Sequence, residues 1–191
     1  HLYDACPITD GASALVLVSE EYAAEHDLDA SVAVTGTGQG TDRMALGDRE
    51  ELARTPAADD AADAAYADAG VEAADVDVAE VHDAFTVCEA LLAEAAGFAP
   101  KGRGYESPLP PEERTEGWTD VTLSTSGGLK ARGHPIGPTG ILQAVEAYEQ
   151  LTGRAGDRQV EGAEHALLLN EGGLADAVTV GHVLTTEGVA R

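Results

Sequence analysis

The chain has 191 residues, 43% of them apolar, which is enough for one domain, or one domain and a piece of a second, around a buried core. Its 35 acidic and 11 basic residues give a formal net charge of −24. A surface this negative repels phosphates, which argues against nucleic acid and anionic membranes as partners. No apolar run of about eighteen residues predicts a membrane span.

The composition also predicts the surroundings in which the protein works. Asp and Glu dominate, and Lys101 and Lys130 are the only lysines, so we expect a halophilic protein. Molar salt shortens the Debye length to about 3 Å and thereby screens the self-repulsion of such a chain. Cys6 and Cys88 have no CxxC or Cys/His spacing, so we predict no disulfide framework, no metal site and a reducing cytoplasm.

The first third of the chain predicts alternating strands and helices. A strand is expected at 14–18, a polar helix at 20–26, and a second strand at 31–37 that ends in the Gly-rich GTGQG. The next helix begins at Pro56, has alanines at helical spacing, and ends at Gly70.

The middle of the chain predicts a strand, a turn and a helix. Val76 to Val81 alternates like a strand, Asp83 can cap a helix over 84–96, and Gly97 ends that helix. Residues 99–122 are rich in proline and charge, which predicts a long surface loop.

The last third predicts one more helix and a hairpin. STSGGLKARGHPIGPTG is too Gly-rich for a regular element, and Pro138 can open a helix over 139–151. The apolar runs ALLLN and ADAVTVGHVL predict two strands that turn at Glu171, Gly172 and Gly173. The element order predicts an α/β fold whose sheet is covered on both faces and binds ligands at the carboxyl ends of its strands.

His134 is the strongest candidate for chemistry. It lies between Gly133 and Gly137 just ahead of a helix, where glycines allow a substrate to approach closely. The positive end of the helix disfavours the imidazolium, so a neutral base that can take a proton from a thiol persists at pH 7. A lone histidine in a turn is more often merely polar, and the glycines favour the functional interpretation.

Three further residues are weaker candidates. His82 follows the predicted strand at the edge where ligands bind, although a structural histidine is the commoner case. Asn170, with Gly172 after it, is equally well explained as a hairpin turn. Cys88 lies among apolar residues of a helix, which favours burial.

Four segments in this order, CPITDGASALVL, VHDAFT, GGLKARGHPIGPTG and LNEGG, resemble the thiolase family over nearly the whole chain. VHDAFT with LNEGG is similar to the archaeal and sterol-carrier-protein branch, in which HDxF replaces an Asn-Glu motif. The resemblance implies the thiolase fold, with a five-stranded mixed sheet between helices. It also implies Claisen condensation of acyl-coenzyme A (acyl-CoA) thioesters to 3-oxoacyl-CoA, or the reverse cleavage by CoA.

The resemblance also implies a division of the chain. Residues 1–29 would be the end of the N-terminal domain, with its last strand and helix, and 30–191 would be the C-terminal domain. The nucleophilic cysteine of the family lies upstream of CPITDG. We therefore expect half of an active site, on a fragment or a separate subunit, and the missing initiator Met agrees with a fragment.

Each site residue takes a role by resemblance. His134 would activate the nucleophilic cysteine and hold the thioester oxygen, His82 would lie in the oxyanion site, and Gly133, Gly137 and Gly172 would line the turns near them. Asn170 stands where many thiolases carry a catalytic cysteine. The proton donor is left open between Cys88, a water on His82, and a residue of the missing half.

We therefore expect a cytoplasmic acyltransferase of lipid metabolism, a homodimer or homotetramer without a permanently bound cofactor. An OB-fold or zinc-ribbon companion subunit is a further expectation from the resemblance. Two alternatives stay open. One is a non-catalytic acyl-CoA-binding or scaffold subunit, and the other is an acidic α/β domain whose histidines are structural.

Overall fold

The computed structural model describes residues 1–28, 30–172 and 177–186, which form one sheet with helices packed on it. The strands are β1 (Ala33–Thr41), β2 (Val78–Val81), β3 (Thr122–Leu123), β4 (His165–Gly172) and β5 (Val178–Thr185). The helices are α1 (Glu20–Glu25), α2 (Pro56–Ala69), α3 (Thr86–Ala95), α4 (Gly128–Arg132) and α5 (Thr139–Leu151). Within these residues no helix is long and apolar enough to cross a membrane.

The sheet has five strands in the order β1-β5-β4-β2-β3 and is mixed, as predicted. β5 runs antiparallel to both of its neighbours, β1 and β4, whereas β2 is parallel to β4 and to β3. The carboxyl ends of β1, β2, β3 and β4 therefore meet at one edge of the sheet.

Helices cover both faces of the sheet, which confirms the predicted layers. Alternate residues of β4 point to opposite sides: Leu167 and Leu169 pack with α2 and α3, and Ala166 and Leu168 pack with α5. Residues i and i+2 of a strand share a face, so the two apolar sets form two separate cores.

β1 is longer than predicted, because its glycines belong to the strand rather than ending it. Its glycines at alternate positions face α2, and a Cβ atom on any of them would lie 2.0–2.2 Å from a backbone oxygen of that helix. The three pairs are Gly36 with Ala65, Gly38 with Ala61, and Gly40 with Ala57. The alanine surface of α2 thus lies directly on the backbone of β1.

The helix after β2 begins later than predicted. It spans Thr86–Ala95 with Phe85 as its N-cap, so the prediction that Asp83 caps it was wrong. The Asp83 carboxylate instead accepts a hydrogen bond from the Leu129 amide of α4 at 2.8 Å. The carboxylate that the local sequence predicted to be a helix cap therefore binds an amide that is distant in sequence.

Two regions predicted to be irregular contain short elements. In GGLKARG, residues 128–132 form α4, whose Leu129 is fully buried. The end of the long loop forms β3, which pairs with β2. The predicted hairpin pairs as β4 and β5, but Glu171 and Gly172 lie within β4 rather than in the turn. Gly173 lies outside the described residues.

The predicted strand at 14–18 is not formed. Its apolar side chains, Leu15 to Val18, are exposed, and no described strand pairs with them. A strand needs a hydrogen-bonding neighbour, so the apolar pattern alone could not form one. The helix that follows is present as α1, with Ser19 accepting from the amide of Tyr22.

Candidate active site

The two candidate histidines meet at the carboxyl edge of the sheet. His82 directly follows β2, and His134 lies in the turn between α4 and α5. Their rings are in edge-to-face contact with centroids 4.8 Å apart. Two residues 52 positions apart in sequence are thus brought together, as the position of each beside a strand end or a helix start predicted.

Asn170 joins this pair because of strand register. Val81 of β2 is level with Leu169 of the parallel strand β4, so the next residues, His82 and Asn170, lie side by side on one face. Asn170 Nδ2 is 3.1 Å from His82 Nδ1. The interpretation of Asn170 as a turn residue was wrong, because the asparagine lies in β4, where it pairs with Val180.

The segment that carries His134 is fixed to β2 through α4. Besides the bond from Leu129 to Asp83, Arg132 Nη1 lies 3.1 Å from the buried carboxylate of Glu80. Gly128 has φ 63°, and a Cβ atom there would lie 2.1 Å from Asp83 Oδ2. α4 therefore lies against the end of β2 with no room for a side chain at this contact.

The glycines around His134 differ in what they approach. Gly133 has φ 88°, and a Cβ atom there would lie 2.2 Å from Thr9 Oγ1, so this glycine accommodates the N-terminal segment rather than a substrate. Among the described residues, no atom lies within 4 Å of where a Cβ atom would stand on Gly137 or Gly172, so neither glycine is in close contact with them.

The N-terminal segment forms one wall of the site. Ile8 forms an isolated parallel β-bridge with His134, and Ala5 forms an antiparallel β-bridge with Phe85. The amide of Cys6 donates to the carbonyl of Ala84 at 2.9 Å. Ile8 and Phe85, which form these two backbone bridges, both have exposed side chains.

Both histidines are neutral at pH 7. Burial, together with the nearby His134 and Arg132, lowers the pKa of His82 to about 4. Burial also lowers the pKa of His134, although the Asp83 carboxylate opposes this shift. A neutral imidazole has one donor and one acceptor nitrogen, so each ring can hold a substrate oxygen or take a proton.

α5 supplies two polar side chains that the sequence analysis missed. Thr139 Oγ1 is 2.7 Å from His134 Nδ1, and Gln143 Oε1 is 2.8 Å from Asn170 Nδ2. Both are fully buried. Their spacing of four residues on the inward face of α5 is the signal that could have identified them.

The remaining candidates lie as follows. Cys88 is buried in the first turn of α3, and Cys6 is half-buried in the N-terminal segment. Across the described residues no group of three or more His, Cys, Asp or Glu side chains could hold a metal ion.

Comparison with known proteins identifies the fold. Residues 38–186 match the family described as Thiolase C-terminal domain-like. A solved structure titled "Ltp2-ChsH2(DUF35) aldolase" superposes with a TM-score of 0.65 at 22% identity, over 81% of this chain and 39% of that one. At this identity the superposition supports the fold alone.

Curated relatives agree with the family match. The chain is 42% identical over 180 residues to an acetyl-CoA acetyltransferase of Methanothermobacter thermautotrophicus, covering 94% of this chain and 46% of that protein. It is 38% identical to sterol carrier protein 2 of Rattus norvegicus, covering 92% and 32% respectively. The chain thus spans between about a third and a half of the length of these relatives. It belongs to the thiolase family, as a C-terminal domain.

Proposed function

We propose that this chain is the C-terminal half of a thiolase that cleaves 3-oxoacyl-CoA with CoA, or condenses two acyl-CoA molecules in reverse. The observation that carries the proposal is the pair of neutral histidines at the carboxyl edge of the sheet, whose ring centroids are 4.8 Å apart. The name of the archaeal relative, acetyl-CoA acetyltransferase, supports short acyl chains.

The chemistry follows from the protonation state of the two rings. In cleavage, neutral His134 takes the proton of a cysteine thiol supplied from outside these residues, and the thiolate sulfur attacks the 3-oxo carbon. The bond between C2 and C3 then breaks, leaving the acyl group on sulfur and an enolate of acetyl-CoA, which takes up a proton. CoA finally attacks the acyl-cysteine and releases the shortened acyl-CoA.

The second histidine serves the oxygen on which negative charge develops. An N–H of neutral His82, held at the end of β2, can donate to the thioester oxygen as its carbon becomes an enolate. A fixed donor of this kind stabilises the transition state more than the ground state because it is already oriented. The proton donor to C2 is left among Cys88, a water on His82 and a residue outside these 191.

The remaining parts of the proposal concern the whole enzyme. Residues 1–29 are assigned to the end of the N-terminal domain and 30–191 to the C-terminal domain. The enzyme works in the cytoplasm as a homodimer or homotetramer, takes CoA thioesters as dissociable substrates without a resident cofactor, and pairs with an OB-fold or zinc-ribbon subunit.

Turnover of acetoacetyl-CoA by the complete enzyme tests the proposed reaction. The enzyme should produce two acetyl-CoA for each CoA consumed, measured by chromatography. Binding of acetyl-CoA in calorimetry without any turnover would instead identify an acyl-CoA-binding or scaffold subunit. Neither turnover nor a CoA-dependent shift in melting temperature would mean that the histidines are structural.

We also propose that the enzyme is halophilic, and the net charge of −24 predicts a large response to salt. Because molar KCl screens the repulsion between surface carboxylates, the melting temperature should rise by more than about 10 °C between dilute buffer and molar KCl. Circular dichroism measures the shift. Sucrose at equal osmolality is the control, since it favours the folded state by exclusion without screening charge. Equal shifts in KCl and sucrose would contradict the screening argument.

A further inference from the structure

The side-chain amide of Gln143 has only one orientation that satisfies its neighbours. Its Nε2 lies 3.3 Å from the backbone oxygens of both Glu80 in β2 and Leu169 in β4. A carbonyl oxygen only accepts hydrogen bonds, so the NH2 group must face the two strands. The acceptor oxygen Oε1 therefore points to the third neighbour, Asn170, at 2.8 Å.

The orientation of Gln143 fixes that of Asn170. An oxygen at Oε1 can be satisfied only by a donor, so the NH2 group of Asn170 faces Gln143. The nitrogen of the same group, Nδ2, lies 3.1 Å from His82 Nδ1, so its second N–H donates to that ring nitrogen. The reversed asparagine amide would place two acceptor oxygens 2.8 Å apart inside the protein, where no water can separate them.

The orientation of Asn170 determines which nitrogen of His82 carries the proton. A ring nitrogen that accepts a hydrogen bond has no hydrogen of its own, so Nδ1 presents its lone pair to Asn170. The proton of a neutral imidazole must then lie on Nε2.

We infer that Gln143 and Asn170 form a relay that holds His82 in the tautomer protonated on Nε2, so that His82 offers a donor rather than an acceptor to the substrate oxygen. Gln143 and Asn170 are positioning residues, since they act through the imidazole. The role of His82 toward the substrate rests on the proposed function, whereas the tautomer depends only on the geometry of the relay.

Nitrogen NMR of the chain labelled with 15N-histidine tests the tautomer without any turnover. Nδ1 and Nε2 report directly whether they carry a hydrogen, and the His82→Gln variant identifies the signals of His82. The wild-type chain should show a protonated Nε2. Detection of the proton on Nδ1 in the wild type would overturn the inference.

Asn170→Asp is the decisive variant because it changes the donor into an acceptor at nearly equal size. The carboxylate should draw a proton onto Nδ1 of His82, giving the other tautomer or the imidazolium. Gln143→Met, which leaves the asparagine free to reverse, should give a mixture of both tautomers. If Asn170→Asp fails to fold, Gln143→Met still decides, because unchanged His82 signals in that variant would refute the relay.

A matched control and a kinetic readout separate positioning from stability. Tyr66→Phe removes a buried hydrogen bond to Ala96 in the core between the sheet and helices α2 and α3. It should leave the His82 signals unchanged. In the complete enzyme, Asn170→Asp should lower kcat at least about 10²-fold with KM within about threefold where NMR shows the tautomer protonated on Nδ1, because the lost Nε2 donor acts in the transition state. If Asn170→Asp alters the tautomer but the wild-type enzyme shows no turnover, the proposed function is refuted and the relay still stands.

Discussion

We expect His134→Ala to lower the rate of acetoacetyl-CoA cleavage by the complete enzyme by about 10²- to 10⁴-fold. This range is typical for the loss of a general base, and the loss of an oxyanion donor is of similar size. His134 is the ring on the open side of the pair, in backbone contact with Ile8 and with Gly137 leaving space beside it. Steady-state kinetics at saturating CoA measures the change.

The control for this variant is His26→Ala. His26 is exposed and stacks on Tyr22 of α1, so its removal should leave kcat unchanged. Circular dichroism of His134→Ala should show a folded chain, since within the described residues the ring is hydrogen-bonded to one side chain, that of Thr139. Near wild-type cleavage by folded His134→Ala would show that another group deprotonates the thiol.

The pH profile gives an independent check of the same residue. Because the pKa of His134 is lowered by burial, its neutral form persists as the pH falls below the usual histidine value of about 6.5. The acid limb of kcat/KM should therefore lie below pH 6.5 in the wild-type enzyme. An acid limb at or above that value would contradict the lowered pKa.

We expect Gly38→Ala to lower the free energy of unfolding by about 3 kcal/mol or more, the upper part of the range for overpacked cores. The new Cβ would lie 2.0 Å from the backbone oxygen of Ala61 and 2.7 Å from the amide nitrogen of Ala65. Both contacts are with helix backbone, so no side chain can rotate away. The chain can accept the methyl group only by separating α2 from β1.

Gly47→Ala is the matched control, because a Cβ atom there would have no neighbour within 4 Å in the part of the chain that the structure describes. Urea unfolding of both variants at one fixed salt concentration gives the comparison. Gly38→Ala should lower the urea concentration at the midpoint of unfolding strongly, and Gly47→Ala should lower it only slightly. Equal midpoints would mean that α2 moves away from β1 at little cost.

The sequence predicted those elements whose signals are local. α2 has Pro56 at its start, Gly70 in the left-handed conformation at its end, and alanines at helical spacing between them. The strand before His82 and the helix after Pro138 were likewise predictable from apolar periodicity. These features placed both histidines at one sheet edge, and the resemblance of GHPIGPTG and VHDAFT to thiolases agreed.

The errors arise where a distant part of the chain determines the local structure. The glycines of β1 were predicted to end the strand. They belong to it because the alanine face of α2, which is distant in sequence, packs directly on them. Asp83 was predicted to cap a helix because it lies just before one, but its carboxylate accepts a hydrogen bond from the amide of Leu129, which is distant in sequence. Gln143 could not be linked to His82 from the sequence, because that link requires the register of β4 beside β2.

The passage of the N-terminal segment over the histidine turn has a consequence for protein engineering. Thr9 lies against Gly133, and Ile8 bridges His134, so the wall of the site comes from residues before the predicted boundary at 29 and 30. A chimaera of two related enzymes joined at that boundary would combine a wall from one parent with a histidine turn from the other. Recombination that preserves the site must therefore keep the segment before α1 together with the sheet that follows it.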